Sequence, residues 1–156
     1  MKEQLTVERK SDRELVSSRI INGPARLVFQ AWTTPELFRK WWVPKSFPIT
    51  LESCEMDVRT GGSYRLVFGF NGQTKDFFGK YVEVTPCSRI VWTNEEGSEV
   101  TITTVIFEER DGKTLLTMTD LHPSKEALDE AIASGSTNGT AECWYQLEEL
   151  VVSLPQ

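Results

Sequence analysis

The sequence predicts an α+β fold in which a curved antiparallel sheet of seven strands wraps around one long C-terminal helix. Three observations predict it: turn signals recur at short intervals through the middle of the chain, two short helical segments precede them, and a long amphipathic segment follows them. Loops this short join neighbouring strands antiparallel, and a sheet with one apolar face needs a cover. The 156 residues are expected to form a single domain, residues 1–156, with a core between about residues 13 and 154.

The first predicted elements are one strand and two short helices. The β-prone run RELVSSRII, residues 13–21, predicts the strand. Pro24 then suits the first turn of the helix PARLVFQAW. Thr34 is a plausible N-cap for a second helix, which begins with Pro35 and stops before Pro44. Both short helices therefore lie between strands one and two.

Six further strands are expected between turn signals, and a long helix ends the chain. The signals are Gly61-Gly62, Asn71-Gly72, Thr85-Pro86, Glu96-Gly97 and Asp111-Gly112, and the strands between them are residues 50–59, 63–70, 75–84, 89–94, 99–108 and 113–121. After Pro123 the run SKEALDEAIA is helical and SGSTNG is loop-like. The last helix is expected over residues 140–154, where Trp144, Leu147 and Val151 recur at helical spacing.

The stretch DVRTGGSYR, residues 57–65, fits two hairpin registers. A two-residue turn at the glycines would put Asp57 and Arg59 into an apolar row of side chains. A three-residue loop, with Gly62 in the left-handed conformation, aligns the apolar rows of both strands and places Asp57 opposite Arg65. The apolar pattern favours the three-residue loop, because a slip of one residue turns every side chain to the wrong face. A phosphate-binding loop is excluded, since a strand and not a helix follows the glycines.

Few residues of the chain are suited to catalysis. Cys54, Cys87 and Cys143 are far apart and odd in number, so neither a disulfide framework nor a metal site is indicated. Cys143 lies early in the last helix, where a reactive thiolate is conceivable and inert packing is favoured. His122 is the only histidine, and Asp120 is close enough in sequence to orient it. No serine or cysteine stands in a nucleophile motif, so a structural or cavity-rim His122 is favoured over a catalytic one.

The run ELFRKWW carries two adjoining apolar stripes on one short helix. Helical spacing puts Leu37 beside Trp41 and Phe38 beside Trp42. Both stripes cannot face the same neighbour. The sequence leaves open whether the tryptophans are core residues, or whether Trp42 is exposed and marks a partner or ligand site.

Charge and hydropathy limit the classes of partner. The formal net charge of −6 argues against binding to nucleic acid, because the overall field repels phosphate. The polar N-terminus lacks the apolar core of a secretion signal, and no run approaches the roughly 20 apolar residues of a membrane span. A cytoplasmic location is therefore expected.

Four segments, in this order and spacing, resemble one known family: ARLVFQAWTTPELFRKWW, CEMDVRTGGSYRL, FFGKYVEVTPCSRIVWT and GTAECWYQLEEL. They are similar to the activator of heat-shock protein 90 ATPase homologue family, within the START-like (SRPBCC, Bet v 1-like) superfamily, over about residues 15–154. The resemblance implies a helix-grip fold with an apolar cavity between sheet and last helix. It implies no shared catalytic constellation, and the family often has glycine or serine where this chain has Cys143. No cofactor is expected.

Carried over by position, the resemblance implies a set of cavity residues, with Trp42 near the mouth. They are Trp42, Tyr64, Leu66, Phe68, Phe78, Trp92, Met118, Cys143, Trp144 and Leu147. His122, as a cavity-rim residue, completes the expected ligand site. The favoured function is non-enzymatic binding of a small hydrophobic or amphipathic molecule. One alternative is a co-chaperone-like module with a chaperone or other protein partner, as in a stress response. A second is a cavity enzyme using His122 and Asp120. A homodimer is left open.

Overall fold

The structure, a computed structural model, describes residues 5–95, 100–133 and 139–155. Its elements in chain order are β1 (Thr6–Arg9), β2 (Glu14–Ile21), α1 (Ala25–Thr33), α2 (Pro35–Trp41), β3 (Thr50–Met56), β4 (Ser63–Phe70), β5 (Gln73–Thr85), β6 (Arg89–Asn94), β7 (Thr101–Arg110), β8 (Lys113–Leu121), α3 (Lys125–Ala133) and α4 (Thr140–Ser153). The predicted turn at Glu96-Gly97, the predicted strand start at residue 99 and most of the loop SGSTNG lie outside the described residues.

The strands of the described chain form one antiparallel sheet in the order β1-β2-β8-β7-β6-β5-β4-β3. Seven of them are the predicted strands. The predicted count of seven is wrong by one, because β1 adds an eighth strand at the edge beside β2. All four residues of β1 are exposed, with the sequence TVER. A short exposed strand buries no side chain and so has no apolar alternation that sequence analysis could detect.

Helix α4 packs against α1 and α2, which cover one end of the sheet. Its buried side chains are Cys143, Trp144, Gln146, Leu147 and Val151. Most of them join aromatic residues of α1 and α2 in the main core. This arrangement confirms the predicted curved sheet around a C-terminal helix, with two short helices between the first predicted strand and the second.

One buried ion pair fixes α4 to strand β2. Arg19 is only 5% exposed. Its Nη1 donates a hydrogen bond to the main-chain oxygen of Trp144 at 2.8 Å, and its Nη2 donates to Oε1 of Glu148 at 2.9 Å. The second oxygen of Glu148 accepts from the backbone N–H of Asn22 at 2.9 Å. A single carboxylate therefore links the helix to the end of the strand.

The β3–β4 hairpin differs in register from the prediction. Arg65 lies opposite Glu55, two residues earlier than the predicted Asp57. The apolar rows are nevertheless confirmed, since a shift of two residues preserves the face of every side chain. Asp57 instead pairs with Arg59 at 2.9 Å in the loop. As predicted, both of these side chains are exposed.

The physical cause of this shift is that the loop pairs with a third strand. The N–H of Gly61 donates to the oxygen of Tyr81 at 2.8 Å, and the N–H of Tyr81 donates to the oxygen of Gly62 at 2.9 Å. Strand β3 therefore ends at Met56, and a longer loop follows. The left-handed residue is Gly61, with φ of 88°, and not Gly62 as predicted.

Gly62 is expected to tolerate no side chain. It is buried, and a Cβ there would lie 2.0 Å from the main-chain oxygen of Asp57. We expect Gly62→Ala to lower the free energy of unfolding by about 1–3 kcal/mol, because the backbone must move. Gly61→Asn is the matched control, since no atom lies within 4 Å of its Cβ position and asparagine accepts positive φ. Urea unfolding midpoints would compare the two variants, and equal losses would contradict this assignment.

Candidate functional site

A cavity of about 780 Å³ lies between the inner face of the sheet and the helices α2 and α4. Its walls come mainly from β2 and from β4 to β8, from α2 and the loop after it, and from the first turns of α4, and single residues are added by β1, β3, α1 and α3. Aromatic side chains dominate several of these walls: Trp32, Phe38, Trp41, Trp42, Tyr64, Phe68, Phe77, Tyr81, Trp92 and Trp144. The interior is therefore mainly apolar, as ligand cavities generally are.

The structure places most of the predicted site residues along this wall. Those that line it are Trp42, Tyr64, Leu66, Phe68, Trp92, Met118, His122, Cys143 and Trp144. Contrary to the prediction, Phe78 is 42% exposed, because it pairs with Arg65 on the outer face while Phe77 pairs with Leu66 on the inner face. Leu147 is also elsewhere: it is fully buried in the core, one turn beyond the part of α4 that meets the cavity.

The two adjacent tryptophans have different environments. Trp41 is completely buried, and its indole N–H donates to the main-chain oxygen of Ala31 at 3.0 Å. Trp42 is half-buried and stacks on Phe38, with ring centroids 4.7 Å apart. Trp32 contacts both indoles edge to face. Of the alternatives left open by the sequence, the structure therefore makes Trp41 a fully buried core residue at the inner side of the cavity wall, and Trp42 a partly exposed wall residue.

Gln146 on α4 holds the loop after α2 at the rim of the cavity. Its Nε2 donates to the main-chain oxygens of Trp41 at 3.2 Å and Val43 at 2.9 Å, and its Oε1 accepts from the N–H of Lys45 at 2.8 Å. Glu142 on the same helix accepts from the N–H of Ser46 at 2.9 Å. This loop supplies wall residues to the cavity. The rim is therefore attached to the same helix that forms one wall.

A polar region of the cavity lies on β7 and β8. Asp120 lines the wall there, and its Oδ1 accepts a hydrogen bond from the hydroxyl of Thr103 at 2.7 Å. Burial raises the pKa of Asp120 above its usual range, while the bond from Thr103 and the nearby His122 oppose that shift. Burial likewise lowers the pKa of His122, against the opposing effect of Asp120.

His122 and Asp120 do not form an ion pair within 4.0 Å in the described part of the chain. The backbone of His122 is fixed by Arg13: the N–H of His122 donates to the oxygen of Arg13 at 2.8 Å, and Nε of Arg13 donates to the oxygen of His122 at 2.9 Å. The two titratable groups thus share a wall without the contact that orients a general base.

Residues 22–152 match the sequence profile of the family described as "Activator of Hsp90 ATPase homolog 1-like protein" (AHSA1). The chain belongs to this family. No curated protein sequence matches this AHSA1-like protein. Among the described residues, no helix has the length and apolar content to cross a bilayer.

Several solved structures resemble the AHSA1-like protein over almost its whole length. A protein from Nitrosomonas europaea is 26% identical in sequence, and its match includes 92% of this chain and 97% of the Nitrosomonas chain, with a TM-score of 0.83. A protein from Rhodobacter sphaeroides is 22% identical, and its match includes 97% of this chain and 100% of the Rhodobacter chain, with a TM-score of 0.88. An AHSA1-like protein from Aeromonas hydrophila is 16% identical, and its match includes 90% of this chain and 97% of the Aeromonas chain, with a TM-score of 0.72. The predicted family and the helix-grip fold are both confirmed, with eight strands.

The thiol nearest the cavity of this AHSA1-like protein is not activated. Sγ of Cys143 lies 3.2 Å from the main-chain oxygen of Trp42, to which the thiol donates. Burial raises the pKa of Cys143 to about 12, so the protonated thiol dominates at neutral pH. Inert packing therefore describes this residue better than a reactive thiolate. In the described residues no group of three or more His, Cys, Asp or Glu side chains is arranged to hold a metal ion.

Sequence reasoning missed some wall residues of the AHSA1-like protein. Phe77 and Tyr81 face inward on β5, and Thr103 faces inward on β7. The signal for Tyr81 and Phe77 was their spacing of four residues with Gly79 midway, because residues two apart in a strand share a face. For Thr103 the signal was its alternation with Val105 and Phe107. A hydroxyl in an apolar row is easily dismissed, and here it binds Asp120.

Proposed function

We propose that this AHSA1-like protein binds a small hydrophobic or amphipathic molecule in the cavity between sheet and α4, as a binding protein and not as an enzyme. The observation that carries the proposal is the cavity itself, about 780 Å³ in volume and walled mainly by aromatic and aliphatic side chains. Ligand pockets for small organic molecules span roughly 300–1,000 Å³. The volume therefore suits one molecule of that class.

The titratable and polar side chains at the cavity support ligand binding without a catalysed reaction. The protonated thiol dominates at Cys143, and within the described residues His122 and Asp120 form no ion pair within 4.0 Å. Some of the polar groups that face the cavity are held in place by the protein, such as Tyr64, whose hydroxyl lies 2.6 Å from the main-chain oxygen of Thr93. An apolar interior with a few placed polar groups selects a ligand by shape and orientation.

A co-chaperone-like role receives support from the family description. The residue argument for it was an exposed tryptophan as a partner site. Trp41 is buried, however, and Trp42 stacks on Phe38 and faces the cavity. We therefore place small-molecule binding first, with a small apolar or amphipathic molecule as the partner.

Filling the cavity should abolish binding. Met118 lines the wall on β8, and Thr117 beside it points to the opposite face of the sheet. We expect Met118→Trp to weaken binding of the neutral probe 2-(1-naphthyl)ethanol at least about tenfold, because the added indole occupies the ligand's space. Thr117→Trp adds the same ring outside and should leave affinity unchanged. Backbone amide NMR titrations would measure both affinities.

Two results would contradict the proposal. One is a wild-type protein that shows no shifts of cavity residues with the naphthyl probe or with a panel of lipids and aromatic molecules. The other is an equal loss of affinity in both tryptophan variants. Thermal unfolding of each variant would first confirm that it is folded.

A further inference from the structure

We propose that the cavity selects ligands whose polar end is a protonated amine, which would bind the carboxylate of Asp120. This inference rests on the proposed function, since it names the chemical class of ligand that the same cavity takes. It is carried by the position of one carboxylate within a largely apolar wall.

Asp120 is built into the sheet in a way that leaves one oxygen available. It lies in one cross-strand row with Leu15 on β2, Thr103 on β7 and Trp92 on β6. Its Oδ1 accepts from Thr103 at 2.7 Å. Among the residues the structure describes, Oδ2 has no hydrogen-bond partner and is not sealed from the cavity. A ligand donor can therefore reach it.

No protein cation neutralises this carboxylate in the described part of the chain. Arg9 on β1 pairs with Asp129 on α3 at 2.7 Å, and the guanidinium of Arg13 donates to the main-chain oxygen of His122. Burial lowers the pKa of His122, so its imidazole is predominantly neutral at neutral pH. An ionised carboxylate taken out of water is costly unless it is paired. A ligand ammonium would supply the missing charge.

The rest of the wall also suits a cation. Trp92 stands in the same row as Asp120, two strands away, and aromatic faces attract ammonium groups. The competing feature is Lys75, which lines the cavity on β5 and would favour an anionic ligand. Lys75 is exposed, with Nζ 5.1 Å from the ring centroid of Phe77. Water screens the charge of the exposed Lys75 far more than the charge of Asp120. The carboxylate should therefore make the cavity prefer cationic over anionic ligands.

The test uses three probes that differ only in their polar end: 2-(1-naphthyl)ethylamine, 2-(1-naphthyl)ethanol and the carboxylate 1-naphthaleneacetate. Their affinities would be measured by amide NMR titration at pH 7. We expect the wild-type protein to bind the amine about tenfold or more tightly than the alcohol, because the ammonium adds the attraction of a unit positive charge to the hydrogen bond that either probe can donate. The acetate should bind most weakly, because its negative charge is repelled by the carboxylate. Asp120→Asn should bring the ratio of the amine's affinity to the alcohol's close to one, because the unit negative charge that favours the ammonium is gone.

Asp111→Asn is the matched control. It removes the same unit of charge from the exposed β7–β8 turn, far from the cavity, at a position whose positive φ suits asparagine. It should preserve the amine preference.

The outcomes separate this inference from the proposed function. Equal binding of amine and alcohol by the wild type, tighter binding of the acetate, or an amine preference that survives Asp120→Asn would overturn the inference and leave cavity binding intact. If none of the three probes binds, the inference is overturned, and if the panel of lipids and aromatic molecules also fails to bind, the proposed function fails with it.

Discussion

Replacing Glu148 with alanine is expected to lower the free energy of unfolding by about 3 kcal/mol. The side chain of Arg19 is 4% exposed and that of Glu148 is 19% exposed, so the pair is largely out of water. Removing the carboxylate deletes the ion pair and the hydrogen bond that Glu148 makes with a buried guanidinium. It also removes the acceptor of the Asn22 N–H. The partial exposure of Glu148 places the expected loss at the lower end of the range for broken buried pairs.

Glu149→Ala is the matched control for this experiment. Glu149 is the next residue on the same helix, is exposed, and has no ion pair in the described residues. Its replacement should change stability by no more than about 0.5 kcal/mol. Urea unfolding followed by tryptophan fluorescence would measure both variants. Similar small losses for the two would mean that Arg19 is adequately hydrated and that the ion pair contributes little to the attachment of α4.

Much of the fold could be predicted because strand and helix periodicities are local. The turn signals and apolar alternation located seven strands, and helical spacing located α4. The eighth strand could not be found, because Thr6–Arg9 is exposed along its whole length and gains its order from pairing with β2. The register of the β3–β4 hairpin could not be predicted from the sequence either. It depends on the hydrogen bonds from the Gly61-Gly62 loop to Tyr81, which is distant in sequence.

The site was predictable only where one face of a strand could be assigned. Tyr64, Leu66 and Phe68 alternate cleanly and line the cavity. In the pair Phe77 and Phe78 both residues are apolar, so alternation cannot choose between them, and the choice follows from pairing with Leu66. The roles of polar residues were still less accessible, because a buried carboxylate or amide is identified by partners that only the folded chain brings together.

Trp41→Ala is expected to cost about 4 kcal/mol of unfolding free energy, a larger loss than that of Glu148→Ala. Trp41 is fully buried and packs edge to face against Trp32 at 4.7 Å and against Phe38 at 5.3 Å. Its removal leaves a large void among rings that cannot close together. It also leaves the main-chain oxygen of Ala31 without the indole donor. Thermal and urea unfolding would both report the loss.

Trp42→Ala provides the contrast, because it deletes the same side chain one position later. Trp42 is half-buried, so we expect a loss of about 2 kcal/mol or less, since the site is already open to the cavity. Its main effect should be on binding, with affinity for 2-(1-naphthyl)ethanol falling several-fold as one aromatic wall is lost. If Trp42→Ala proved as destabilising as Trp41→Ala and left probe affinity unchanged, Trp42 would be a second core residue and not part of the ligand site. The two tryptophans would then share one structural role, and the cavity would lack an aromatic wall at its mouth.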